Sequence, residues 1–182
     1  MKDSPDYEIQ RVLQEMRDEY WRGLEEVEAS DVGATQDYLV VRLGGERFGI
    51  ETVLAREVLR APRLVRVPQV PPQVRGIINL RGQIVAVIDL RGPLGLPSGD
   101  ETLRGQLVVV EAAGVTSALW TEQVEGLRSI PVTAIEPLTA GLAQLPREAI
   151  TGQVHLEDGL LILLDLPQLL GRDEFIIDQK GE

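Results

Sequence analysis

The chain of 182 residues has no cysteine and a single histidine, His155. Without cysteine there are no disulfides, no thiolate nucleophile and no Cys-ligated metal, which fits a reducing compartment. One histidine leaves no His-cluster metal site within one chain. Aromatic residues make up only 4% of the sequence while apolar residues reach 43%, so a core has to be built mainly from Val, Leu and Ile. Apolar runs such as residues 107–110 and 160–164 fall far short of the ~20 residues that span a bilayer. The first residues are charged and polar and contain no apolar signal core, so a cytoplasmic protein with no membrane insertion is expected.

Basic residues are scarce as well. There are 18 Lys and Arg against 29 Asp and Glu, a net charge of −11, which argues against nucleic acid as a partner. The acidity is uneven: residues 1–37 carry 11 acidic and 4 basic side chains, and the rest of the chain is much closer to balance.

Catalytic patterns are missing too. His155 lies beside the turn Glu157, Asp158 and Gly159 and reads as a surface side chain, so no Ser–His–Asp arrangement is formed. No GxxxxGK[ST] loop occurs, and Gly44 and Gly45 lie between two strands instead of ahead of a helix. The adjacent carboxylates Glu25 and Glu26, Glu157 and Asp158, and Asp173 and Glu174 fall in helix, turn and tail contexts, where nothing splits their pKa values. No catalytic residue, metal site or cofactor is expected.

What is present is a set of β signals behind one helical one. Residues 6–28 place Ile9, Leu13, Met16, Tyr20, Leu24 and Val27 on one helical stripe, predicting an amphipathic N-terminal helix followed by a linker around Gly33. That stripe could pack on the chain's own body, on a partner or on a second copy. Residues 38–43 and 46–50 read as a hairpin turned at Gly44 and Gly45. Residues 52–59 have mixed periodicity, and the proline-rich residues 64–72 read as an extended loop or edge segment. A second cycle of strands occupies residues 107–111, 117–121, 150–156 and 160–164, with a helical turn over 165–170 closed by Gly171.

The organising stretch is residues 74–91. Gly76 and Gly82 bracket residues 77–81 as breaks around a strand, and residues 84–88, with no polar side chain, predict a strand buried on both faces. Asn79 is expected to satisfy local backbone groups and Asp89 to cap the turn that follows it. The segment Gly82 to Leu90, continuing to Leu94 and Gly95, is echoed by Gly159 to Leu166, continuing to Leu170 and Gly171. Each has a glycine, an apolar strand, Asp-Leu and then Leu-Gly, which predicts two related β units that close to hide their edges.

Residues 74–96, VRGIINLRGQIVAVIDLRGPLGL, resemble the central signature of the CheW-like domain, the adaptor of bacterial chemotaxis arrays. The hairpin of residues 38–50, the segment Arg56, Glu57, Val58 and Leu59, and Arg66, Val67 and Pro68 are similar to the family's preceding segments. The resemblance implies a mainly β fold of two small SH3-like five-stranded β-barrel subdomains around a shared core. It divides the chain into an acidic helical extension (1–37), the domain (38–171) and a C-terminal tail (172–182). It also implies a non-catalytic adaptor that binds the regulatory domain of a CheA-type histidine kinase and the cytoplasmic tip of a methyl-accepting chemoreceptor, recruited to membrane-associated arrays. Carried over residue by residue, Arg81 and Glu57 form a pair at the binding surface, and Val58, Val124 and Leu127 match apolar positions near it. Ala55, Ala86, Ala118, Trp120 and Glu122 depart from the usual residues. Two alternatives stay open: a CheW-like adaptor of another pathway, such as twitching motility or a receptor-free kinase complex, and a small-ligand-binding barrel.

Overall fold

A computed structural model of the protein describes residues 33–99, 104–142 and 144–172. The predicted helix over residues 6–28 and the tail beyond Arg172 lie outside the described residues. Ten strands follow one another: β1 (Thr35–Leu43), β2 (Glu46–Glu51), β3 (Ala55–Arg60), β4 (Val74–Leu80), β5 (Gln83–Asp89), β6 (Gln106–Ala112), β7 (Val115–Thr121), β8 (Gln123–Pro131), β9 (Ile150–Leu156) and β10 (Gly159–Leu164). One short helix, α1 (Leu166–Leu170), ends the order.

The strands form two five-stranded sheets, β8-β1-β2-β10-β9 and β3-β6-β7-β5-β4. The second is contiguous in the chain and is inserted within the first. Both have the same layout: a hairpin (β1-β2 or β6-β7), then a parallel pair (β2 with β10, β7 with β5), then a second hairpin. The echoed segments are β5 and β10, which hold the same place in the two sheets. After each strand an aspartate caps the next turn. Asp89 Oδ1 accepts the Arg91 N–H at 3.0 Å, and Asp165 Oδ1 accepts the Gln168 N–H at 3.1 Å.

The end strands of each sheet are consecutive in sequence, and the connection between them closes the sheet with a single bridge. Val65, between β3 and β4, bridges Ile77; Glu136, between β8 and β9, bridges Gln153. The residue preceding each bridged position is glycine because the incoming chain lies against it. A Cβ on Gly76 would stand 2.5 Å from the Val65 carbonyl oxygen, and one on Gly152 would stand 2.8 Å from that of Glu136. Gly76 is therefore not a break before a strand, as the sequence suggested. It lies inside β4, at an irregularity where Val74 faces Ile88 and Gly76 faces Val87.

Alternation assigns the cores. Leu39, Val41 and Leu43 of β1 join Phe48, Ile50, Val85, Val87, Val108, Leu119 and Leu166 in one core shared by both sheets. Tyr38 and Val40, on the other face of β1, join Val154, Leu161 and Leu163 in a smaller core. Each such aliphatic side chain contributes roughly 1.5–3 kcal/mol on full burial. Burial of β5 is less complete than its apolar run implied: Val85, Val87 and Ile88 are buried, but Ile84 is 53% exposed. Ile84 faces Asn79 beside the turn that closes the hairpin, at the solvent-facing end of the strand. Residues 52–59 resolve into a turn followed by β3, whose side chains alternate between half-buried and exposed.

Candidate functional site

The turn joining β4 to β5 consists of Arg81 and Gly82, both left-handed (φ 52° and 86°). This is the two-residue hairpin geometry whose twist matches the flanking strands. Gly82 fits it without strain, and Asn79 braces it by accepting the Gly82 N–H on Oδ1 at 2.8 Å. An arginine in the first position is unusual. Its side chain reaches across to β3, where Nη1 and Nη2 donate to Glu57 Oε1 and Oε2 at 3.0 and 2.8 Å. Glu57 is largely covered, whereas the Arg81 side chain is 78% exposed. The fork is thus presented outward while being held in place from behind.

Val58 follows Glu57 on β3, the end strand of the second sheet, and is 41% exposed. Leu127 occupies the matching place on β8, the end strand of the first, and is 71% exposed. Both strands carry an irregularity just before this position. Ala55 and Glu57 face Val110 and Val109 with Arg56 extra, while Val124 and Gly126 face Val41 and Val40 with Glu125 extra. Val124 is half-buried against the shared core. Its N–H donates to Gln106 Oε1 at 2.7 Å, and Gln106 also faces Arg60 of β3, so this residue ties β8 to the second sheet. The structure therefore joins Arg81 to Glu57, with Val58 next along β3 on the alternate, exposed face. Val124 and Leu127 belong to the other sheet.

A second charged cluster borders this fold's β8 edge. Glu125 takes hydrogen bonds from Arg42 and from Arg47, and Arg47 and Arg128 both reach Asp158 in the β9–β10 turn, at 3.1 and 3.2 Å. Burial alone would raise the Glu125 carboxyl, but the Arg42 and Arg47 hydrogen bonds outweigh it and hold the group below its ordinary range. Arg47 is correspondingly raised by its hydrogen bond to Glu125 and stays charged.

Sequence reasoning missed a third arrangement. The guanidinium carbons of Arg75 and Arg91 lie 4.3 and 4.5 Å from the centre of the Trp120 ring. Asp89 accepts from Arg91 Nε and Nη2, the latter at 2.6 Å, and lies 3.8 Å from Arg75 Nη1. Arg91 is 5% exposed. Arg75, Asp89 and Arg91, with Gln73 and Ser98, line a cavity of about 480 Å³. The charges are committed to one another and to the indole face, which makes the cluster a brace between β4, β5 and β7. No local signal marks the cluster, because its members meet only through strand pairing. His155 is exposed and lies 3.8 Å from Glu136. Among the described residues no group of three or more His, Cys, Asp or Glu could hold a metal ion.

Comparison with known proteins agrees with this architecture. The family model of the CheW-like domain matches residues 37–174. The chain is 28% identical over 145 residues to the chemotaxis protein CheW of Klebsiella aerogenes, covering 78% of this chain and 86% of that one. It is also 28% identical over 137 residues to protein PilI of Pseudomonas aeruginosa, covering 75% and 76%. Among solved structures it is similar to the scaffolding protein TtCheW from Thermoanaerobacter tengcongensis, with TM-score 0.68 and 25% identity over 78% of this chain and 96% of that one.

Proposed function

Because the chain belongs to the CheW-like domain family, a family of chemotaxis adaptors, we propose that it couples a CheA-type histidine kinase to the cytoplasmic tip of a methyl-accepting chemoreceptor and does no chemistry itself. The domain would comprise residues 38–171. Holding two partners on one scaffold raises the effective concentration of each at the other, and this is the mechanism of such an adaptor. Among the described residues no helix is long and apolar enough to cross a membrane, so its place at a receptor array would come from these partners.

The observation that carries the reading is the Arg81–Glu57 fork: an exposed guanidinium fixed on a rigid turn and anchored to β3, the strand that also exposes Val58. A preorganised arginine and an aliphatic anchor suit the centre of a protein interface. Glu57, Val58 and Arg81 would form one part of the binding surface, and Val124 and Leu127 another. Asn79 and Gly82 would serve by shaping the turn that presents Arg81, while Gly76 and Asp89 would serve the strand crossing and the turn at the far end of the hairpin.

Calorimetric titration with the regulatory domain of the CheA homologue from the same genome tests this. Binding at micromolar or tighter affinity, about −8 kcal/mol, is expected. It should weaken with Arg81→Ala, with a larger loss at the receptor tip. A folded, monomeric protein with no affinity for the kinase would overturn the proposal. A second reading, an adaptor of the same type in a different pathway, is favoured by one observation: PilI and the CheW of Klebsiella aerogenes are each 28% identical to this chain. Titration against the kinase of each pathway separates the two.

A further inference from the structure

Among the described residues, β8 pairs only with β1, so its outer edge carries backbone groups that no strand covers. On this edge strand Leu127 is 71% exposed, and Val132, immediately after it, is 47% exposed. Native sheets commonly shield such an edge with a helix or loop. The chain comes into the first sheet beside it: the Ala34 carbonyl accepts the Val132 N–H at 2.9 Å, and Thr35 faces Pro131.

The residues just upstream have the pattern that such an edge needs. Their apolar stripe runs from Ile9 to Val27. As a helix it would be about 27 Å long at ~1.5 Å per residue. β8, with nine residues, is about 30 Å long at ~3.3 Å per residue. Residues 28–33 can reach about 20 Å, enough for the chain to double back onto the edge. Residues 9–27 carry five acidic against three basic side chains, and Arg42 and Arg128 beside the edge are each already paired with a carboxylate of the fold, so the apolar stripe, not charge, is what would hold the segment there.

We propose that residues 9–27 dock in cis along β8, setting their apolar stripe on Leu127 and Val132. The extension would then be a built-in occupant of the first sheet's edge, displaced when a partner takes Leu127. The inference goes beyond the adaptor reading and does not depend on which partner that is.

The absence of cysteine makes the test direct. A nitroxide is placed on Asp18→Cys, on the polar side of the stripe, in the full chain, and amide signals are read by NMR. Signals of residues 123–132 should lose intensity, to the same extent after tenfold dilution. The substitution Leu127→Glu in the labelled chain should restore them while leaving the rest of the spectrum in place. Three results would overturn the proposal: no loss at β8, loss centred on another strand, or loss transferred from labelled to unlabelled chains in a mixed sample, which would mean that a second copy is the occupant. No kinase or receptor is present in this experiment, so its failure would leave the adaptor reading untouched.

Discussion

Arg81 donates two hydrogen bonds to Glu57 from a backbone that is itself left-handed, at φ 52°. A side chain in that conformation costs about 1–2 kcal/mol. An exposed ion pair returns only about 0.2–1 kcal/mol. The pair is therefore at best neutral for folding, which is what the proposed partner surface requires.

That imbalance gives the first prediction. Arg81→Gly should leave stability unchanged or raise it by up to ~1 kcal/mol, because glycine takes the same φ without strain. Affinity for the kinase regulatory domain should fall about tenfold or more, ~1.4 kcal/mol. Urea unfolding and calorimetry on the same samples check both halves. A variant that loses stability and keeps its affinity would assign Arg81 to the fold.

The bridged closures give the second. Gly76→Ala and Gly152→Ala each push a methyl group against a backbone carbonyl, at 2.5 and 2.8 Å, and neither carbonyl can swing aside without breaking its bridge. Each should cost about 2–3 kcal/mol in urea unfolding. Gly82→Ala, with open space around its Cβ position, should cost only the strain of its φ, about 1 kcal/mol.

Asp89→Asn should cost roughly 3 kcal/mol, because it removes the carboxylate that balances Arg91, whose side chain is 6% exposed. The emission of Trp120, whose ring both guanidiniums approach, offers an optical readout of the same change.

Glu125 sets a pH dependence. Its folded pKa lies below the ordinary value, so the group stabilises the fold above its unfolded pKa, and that contribution disappears as pH falls through the depressed folded value. The Tm of Glu125→Gln should be lower than that of the unsubstituted chain at neutral pH. The gap should hold down to the ordinary carboxylate range and close below it. A gap that is constant down to the acid limit would show that packing, not charge, is responsible.

The β character of the chain was legible because alternation and paired turn residues are local. The hairpin at Gly44 and Gly45 and the capping role of Asp89 appear where they were expected. The Arg81–Glu57 pair was legible only through family resemblance, since the two residues are 24 apart and nothing in either segment names the other. The Trp120 cluster was not legible at all: Arg75 and Arg91 flank β4 and β5, and they meet Trp120 because β5 pairs with β7 in parallel. Nor could sequence show that Gly76 lies under a crossing carbonyl instead of ending a strand.

By itself the sequence determined the material: aliphatic cores, strand signals for eight of the ten strands (all but β3 and β8), two echoed units, and no side chains for thiol or His-cluster chemistry. The tertiary structure alone decided the partners, drawing β8, β9 and β10 back across the inserted second sheet to β1 and β2. The physical reason is that a period of two fixes which face of a strand is apolar but is the same for every possible neighbour. Only the arrangement that buries both faces of β1 and of β10 at once selects among them.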